Sequence, residues 1–281
     1  MVSFENILTV LSVASCALAG AIPVHTATSR ISGAPSETAE PSKHAKASEI
    51  TKLHPSGVNH VGADKAKATK LYEAADFSPG AIKEPPHLLT ITVINSQSVA
   101  ITTEHSRDPG APSAVSGHLS PGTMSAGETA SFAVPTNWIG NVAVANAEGS
   151  DITGDDTLIE ANFVIPASSG YKMAVADVDV SYVNGFSVPI TCSCSGKVVT
   201  GCNKDLFALG KCDTMNNKNQ CKNPLRSEMG ATEAAPFLRP CQHAAWTYVN
   251  DGGADAWGFC QSGEITCCVG TKCPKNPKQP E

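Results

Sequence analysis

Between Cys16 and Cys192 the chain has no cysteine at all, so nothing covalent ties its first two thirds together. Basic residues are also short. The 281 residues carry a net charge of −6, and only 16% are charged. Phosphate binding needs a basic surface, so nucleic acid is excluded as an expected partner. Beyond the N-terminus no apolar run approaches the 18 or so residues of a membrane span. The familiar catalytic signatures are missing: no G-x-S-x-G elbow, no H-E-x-x-H, no P-loop and no G-x-G-x-x-G after a strand. No N-x-Ser/Thr sequon occurs, so N-glycosylation is not expected. Neither a cofactor nor a metal is expected. The paired cysteines, Cys192-x-Cys194 and Cys267-Cys268, lack the two to four intervening residues that zinc sites prefer.

The residues that are present divide the chain into four parts. Ile7 to Ala21 is apolar or small, and Ala17-Leu18-Ala19 offers an A-x-A cleavage site, so 1–19 reads as a secretory signal. Its n-region lacks Lys and Arg and carries Glu5. A buried N-terminal helix, or a lipoprotein box at Val13-Ala14-Ser15-Cys16, are the alternatives. Residues 20–86 are rich in Ala, Ser, Thr, Lys and Pro and poor in large apolar side chains. They read as a low-complexity spacer or pro-segment, with a short helix at Ala66 to Phe77. Residues 87–274 form the folded part, and 275–281 a polar tail that is no lipid-anchor signal.

From His87 the texture is β. In "LLTITVI" Leu89, Ile91 and Val93 alternate with Thr90 and Thr92, the period of a half-buried strand. "SVAITTE", "ETASFAV" and "NVAVANA" continue the pattern. "TLIEANFVI" sets Ile159, Ala161, Phe163 and Ile165 inward, with Glu160 and Asn162 outward. "KMAVADVDVSYV" puts Val178, Val180 and Tyr182 on one face and Asp177, Asp179 and Ser181 on the other. Short strands with turns between them predict an all-β sandwich or barrel over 87–190, and the lack of helical crossovers argues against a parallel α/β sheet.

After Ile190 the periodicity weakens and the cysteines begin. The ten at 192, 194, 202, 212, 221, 241, 260, 267, 268 and 273 are an even set, read as disulfides in an oxidising compartment. Spacing alone leaves their connectivity open. The charge splits at the same place. Residues 87–190 hold 10 acids against 2 bases (net −8), and residues 191–281 hold 8 against 10 (net +2). An acidic β half packed on a slightly basic, disulfide-rich loop half is expected.

Carboxylates are the remaining chemistry. Glu160 and Asp179 lie on the non-core faces of neighbouring predicted strands, where two acids across a sugar bond can act as acid and base. Outward acids on strands are equally ordinary solvated residues. His243 shows no partner for a nucleophilic dyad and reads as a structural or surface histidine.

"TLIEANF" followed by "DVSYVNGFSVPI" resembles the thaumatin-like family, in which T-L-x-E-F precedes D-x-S-L-V-D-G-F-N-x-P. "LTITVINSQ", "LSPGTMSAGETASFAV", "ITGDDT", "CNKDLFALGKC" and "FLRPCQHAAWTYVND" resemble further family segments, in order. The resemblance covers about residues 87–274, in a divergent, fungal-type form with an N-terminal extension. It implies an all-β fold, an antiparallel β sandwich with disulfide-rich loops, and an acidic cleft that binds β-1,3-glucan, which some members hydrolyse. By that match Glu160 and Asp179 are the cleft acids. Asn184 stands where the family has a second Asp, the family's Arg falls near Asn146, and Asp251 matches a later acid. Asp156 stands where the family has a cysteine. Phe186, Tyr182, Trp246 and Trp257 are candidate stacking surfaces, with Tyr182 inward by period. The resemblance pairs Cys202 with Cys212.

The expected protein is thus a secreted or cell-wall monomer that binds cell-wall β-glucan, antifungal or wall-remodelling. The alternatives are a weak endo-β-1,3-glucanase using Glu160 and Asp179, and a binder or inhibitor of a secreted hydrolase.

Overall fold

The computed structural model describes residues 85–119, 122–147, 152–167, 172–251 and 254–281. The predicted signal, residues 20–84 of the spacer and the helix at 66–77 lie outside the described residues. The strands are β1 (Leu88–Asn95), β2 (Ile101–Arg107), β3 (Ser116–Gly117), β4 (Thr123–Met124), β5 (Thr129–Pro135), β6 (Trp138–Asn146) and β7 (Thr157–Val164). They continue with β8 (Val175–Ser181), β9 (Gly185–Phe186), β10 (Ile190–Cys194), β11 (Lys197–Cys202), β12 (Cys221–Lys222) and β13 (Glu264–Val269). A single helical turn, α1 (Leu206–Leu209), is capped by the Asp205 carboxylate accepting from Ala208 N. No described helix is long and apolar enough to cross a membrane.

Two sheets make the sandwich. One has the order β11-β10-β13-β1-β5-β3 and the other β4-β2-β6-β7-β8. The strand periodicity explains how they meet. Leu89, Ile91, Val93, Phe132, Val134 and Ile265 of the first sheet share one buried cluster with Ile101, Val142, Ile159, Phe163, Val178 and Val180 of the second. Each fully buried side chain of this size stabilises the fold by about 1.5–3 kcal/mol. β1 is central to its sheet and is covered on both faces. Thr90 and Thr92 are buried too, and the Thr92 and Ser131 hydroxyls bond to each other at 2.9 Å.

The structure departs from the sequence reading in four respects. The sandwich does not stop at residue 190, because β10, β11 and β13 from the cysteine-rich third form half of the six-stranded sheet. β1 pairs parallel with β13, from Thr90 opposite Glu264 to Asn95 opposite Val269. That pairing is open to an all-β chain because the rest of the domain serves as the crossover. Ile165 is 45% exposed, since β7 ends at Val164 before the inward alternation reaches it. The terminal segment is tied down rather than loose. Asn276 Nδ2 donates to Gly201 O at 2.9 Å, and Gln279 Oε1 accepts from Asn203 N at 3.1 Å.

All ten cysteines pair: Cys192–Cys267, Cys194–Cys260, Cys202–Cys241, Cys212–Cys221 and Cys268–Cys273. The expected Cys202–Cys212 bond is not formed. β11 delivers Cys202 to the turn at Arg239–Cys241, with Cα atoms 5.6 Å from Cys241, while Cys212 meets Cys221 of β12 at 5.7 Å. Both separations fall in the range a disulfide spans. Asp156, at the motif position of a cysteine, ties its loop by hydrogen bonds instead. It accepts from Thr153 N at 2.8 Å, Gly154 N at 2.9 Å and Gln220 Nε2.

Cys192–Cys267 spans 75 residues and Cys268–Cys273 only 5. Because Cys194–Cys260 lies just inside the first of these, the ring that Cys192–Cys267 closes is only about ten residues, and chain-entropy scaling puts the loss of either bridge at about 2–3 kcal/mol. Urea unfolding of Cys192→Ala/Cys267→Ala and of Cys268→Ala/Cys273→Ala therefore gives losses of similar size. A loss from the first pair twice that from the second would show that unfolded-state entropy does not set it.

Candidate functional site

β7 alternates buried and half-buried along its whole length, and β8 does so through its centre. The outward set on β7 includes Glu160 and Asn162; on β8 it is Asp177 and Asp179. The antiparallel register puts Glu160 opposite Asp179 and Asn162 opposite Asp177. Cross-strand neighbours of this kind have Cβ atoms about 5 Å apart. β6 adds Asn141 on the other side of Glu160. The result is a small acidic and amide face on the side of the five-stranded sheet away from the core.

The outer edge of β8 is covered by returning chain. Trp246 N donates to Val180 O at 2.9 Å, Ala256 N to Val178 O at 3.1 Å and Gly258 N to Ala176 O at 2.8 Å. This lays Trp246, Ala256 and Gly258 beside β8 and brings Asp255 to the carboxylates. Asp255 Oδ1 accepts from the Trp246 indole Nε1 at 2.8 Å, which fixes a half-buried indole at the rim.

Four carboxyl groups therefore share one site with few donors. Asn162 Nδ2 donates to Asp177 Oδ2 at 3.3 Å, and the Ser181 side chain bonds Glu160. Asp177 Oδ1 and Asp179 Oδ2 are shut off from solvent and have no hydrogen-bond partner. Burial, with Asp255 second, pushes Asp177 up to about 7. Burial and then the charges of Glu160, Asp177 and Asp255 hold Asp179 well above the usual carboxylate range. Glu160 is raised by burial, against the Ser181 bond, with Asp255 and Asp108 adding to the rise. Asp255 is raised by burial, while the Trp246 bond and Lys278 pull it back. Near neutral pH such a group of acids retains protons, so it can both donate and accept. The carboxylates do not converge on one point, and no described trio of His, Cys, Asp or Glu is placed to hold a metal ion.

Glu160 and Asp179, the two acids picked from sequence, are brought together. The other candidates are not at the pair. Asn146 ends β6 and accepts from Gln97 Nε2 at 3.0 Å. It lies five strand positions from Asn141, about 17 Å by strand rise. Asn184 stands exposed in the turn after β8, where its backbone carbonyl accepts from Asn223 N at 3.2 Å. Phe186 is fully buried, edge-on to Tyr182 at 5.1 Å and close to Phe207 and Phe237, so it is core and not a stacking surface. Tyr182 is inward, its hydroxyl donating to Cys202 O at 3.2 Å.

Asp251 is not a cleft acid either. Its buried carboxylate bonds His243 Nδ1 at 2.9 Å and accepts from the Thr247 hydroxyl at 2.7 Å and from the His243 and Thr247 amides. His243 thus has the acidic partner that the sequence did not reveal, and it holds a left-handed backbone with φ of 65°. Thr247 donates to Asp251, so its proton is spent on the acid rather than offered to the imidazole. Asp177 was visible in the D-V-D-V alternation beside Asp179. Asp255 and the placement of Trp246 carried no local signal, because only the return of the chain along β8 brings them in.

No protein-family model matches the chain, and no curated protein matches it. Among solved structures, the crystal structure of the protein elicitor MoHrip2 from Magnaporthe oryzae is similar at 15% identity, with a TM-score of 0.26. The match covers 41% of this chain and 76% of that one. At that level the likeness carries no argument about this chain's function.

Proposed function

We propose that this is a secreted thaumatin-like protein that binds cell-wall polysaccharide, β-1,3-glucan in the first instance, through the outer face of β7 and β8. The observation that carries the reading is the cross-strand pair Glu160–Asp179, continued by Asn162–Asp177, on the outer face of the sheet. Half-buried carboxyl and amide side chains in a row suit the hydroxyls of a sugar chain, and the half-buried indole of Trp246 at the rim suits a pyranose ring. The ordered sequence segments and the disulfide-bonded sandwich support the family reading. Five disulfides are compatible with export.

A second reading, a weak endo-β-1,3-glucanase, is favoured by the raised carboxyls. With Asp179 protonated and Glu160 ionised, the pair would have a general acid beside a base or nucleophile.

One assay separates the two. The oxidised, secreted protein is incubated with insoluble β-1,3-glucan, and retention and reducing-sugar release are read in the same tube. Retention without release is the expected result, weakened about tenfold or more by Glu160→Gln and by Asp179→Asn. Release that Asp179→Asn abolishes moves the protein to the glucanase reading. No retention on the glucan removes the polysaccharide reading.

A further inference from the structure

Strand register sets the side chains of the proposed polysaccharide face in straight rows. Ser106 of β2, Asn141 of β6, Glu160 of β7 and Asp179 of β8 are successive cross-strand partners, so they run in one line across four strands. Two residues along the same strands, Glu104, Ala143, Leu158 and Ser181 make a second line. Ser181 bridges in parallel to Trp246, which puts the indole on the same face at the end of that line. The step from strand to strand is about 4.8 Å, and the two rows lie about 7 Å apart. The first row is polar throughout, with Ser106 exposed and Asn141 and Glu160 half-buried. The second offers apolar surface at Leu158 and the indole, both half-buried. A pyranose chain carries the same pair of surfaces, apolar ring faces and hydroxyl-bearing edges. Which chain fits depends on its linkage. Equatorial β-1,4 linkages hold the sugars in an extended ribbon that advances by roughly one strand spacing per sugar. Leu158 and the indole stand two steps apart, the repeat of a ribbon whose sugars alternate in orientation. A β-1,3 linkage turns the chain at every sugar, so it coils away from the row.

We infer that the preferred ligand of this face is an extended β-1,4-linked pyranose chain that lies across the strands from β2 to Trp246, one sugar to a strand, its ring faces on Leu158 and the indole and its edge hydroxyls bonded to Ser106, Asn141 and Glu160. This deepens the polysaccharide reading and rests on it, with a different linkage.

The test is calorimetry of the whole secreted protein with three hexamers and their shorter forms: β-1,4-linked glucose, β-1,4-linked N-acetylglucosamine and β-1,3-linked glucose. The better of the two β-1,4 hexamers, which differ only in the substituent at carbon 2, binds about tenfold or more tightly than the β-1,3 hexamer. Its affinity climbs from the dimer to about five sugars, one for each of the four strands and one for the indole, and then levels off. Asn141→Ala, in the middle of the polar row, weakens it about fivefold. Lys197→Ala, on β11 at the edge of the other sheet, leaves it unchanged. Equal or tighter binding of the β-1,3 hexamer overturns the inference while leaving the polysaccharide reading intact. So does a β-1,4 affinity that stops rising at the dimer, or an Asn141→Ala protein that melts and binds like the wild type. Silence from all three sugars overturns both. The length series uses the wild-type protein and decides the matter whatever Asn141→Ala does to folding.

Discussion

Asp177→Asn melts higher than the wild-type protein at pH 7.5, and the gain vanishes at pH 4. The Asp177 carboxyl is raised from 3.8 to about 7, first by burial and then by Asp255. Between those values the folded state holds a proton that the unfolded state has released. Stability therefore falls as pH rises through this window, because the slope follows the protons bound by the unfolded chain minus those bound by the folded one. At about 1.4 kcal/mol per pH unit the full penalty is near 4 kcal/mol. Asp177 keeps a bond from Asn162 and is only half-buried as a residue, so the usable gain is about 1–2 kcal/mol. For a domain of this size that is about 3–6 °C in Tm. Asparagine keeps an acceptor for Asn162 and brings a donor to a place where carboxylates wait. Thermal melts of both proteins at pH 4, 5.5 and 7.5 give the answer. A variant less stable at pH 7.5, or a difference that ignores pH, would show that Asp177 pays no penalty for its charge.

The same substitution weakens ligand binding, and that pairing distinguishes a site from ordinary surface acids. A solvated acid on a strand changes stability by less than about 0.5 kcal/mol when neutralised. Groups kept where they destabilise the free protein are offset only when something else occupies the site.

How much of this could be read from the sequence differs from residue to residue, for physical reasons. Strand alternation has a period of two, so the outward place of Glu160 and Asp179 followed from Ile159, Ala161, Val178 and Val180 facing in. Their meeting across β7 and β8 needed only that consecutive strands be neighbours, the common case. Phe186 misled because a two-residue strand between turns has no period to read. It is fixed instead by Phe207 and Phe237, which arrive from 21 and 51 residues further along the chain. Asp251 and Asp255 lie four residues apart, and neither is in a strand. Nothing local says that one is buried against His243 while the other faces the carboxylates. The disulfides were legible as a count and not as a map, since connectivity depends on which strands the sheet places side by side. Cys192 and Cys267 are cross-strand partners in the β10–β13 pair, and that pair exists only once β13 has come back to β1.

Acid should act on the other face of the same sheet with the opposite sign. His105 points from β2 into the space between the sheets, with its ring centroid 3.9 Å from that of Phe132 and Val93, Met124 and Val142 around it. Burial, with a smaller push from His118 and against a backbone bond to Leu119, lowers it from 6.5 to about 3. The unfolded chain thus takes up a proton below pH 6.5 that the folded chain refuses until about pH 3. Stability from this residue is complete above pH 6.5 and drains away as pH falls toward 3, by up to about 5 kcal/mol. Over pH 4 to 6.5 that loss opposes the gain from protonating Asp177 and the other raised acids, Glu160, Asp179, Asp255 and Asp156. His105→Gln gains more stability than the wild type between pH 7 and pH 4, whatever packing it loses at both. Asp177→Asn, with His105 intact, gains less than the wild type over the same range. Urea unfolding at the two pH values reads both slopes, and His105→Phe repeats the first without a hydrogen-bonding side chain. A glutamine variant whose slope matches the wild type would mean that His105 is reached by water and protonates in the folded protein.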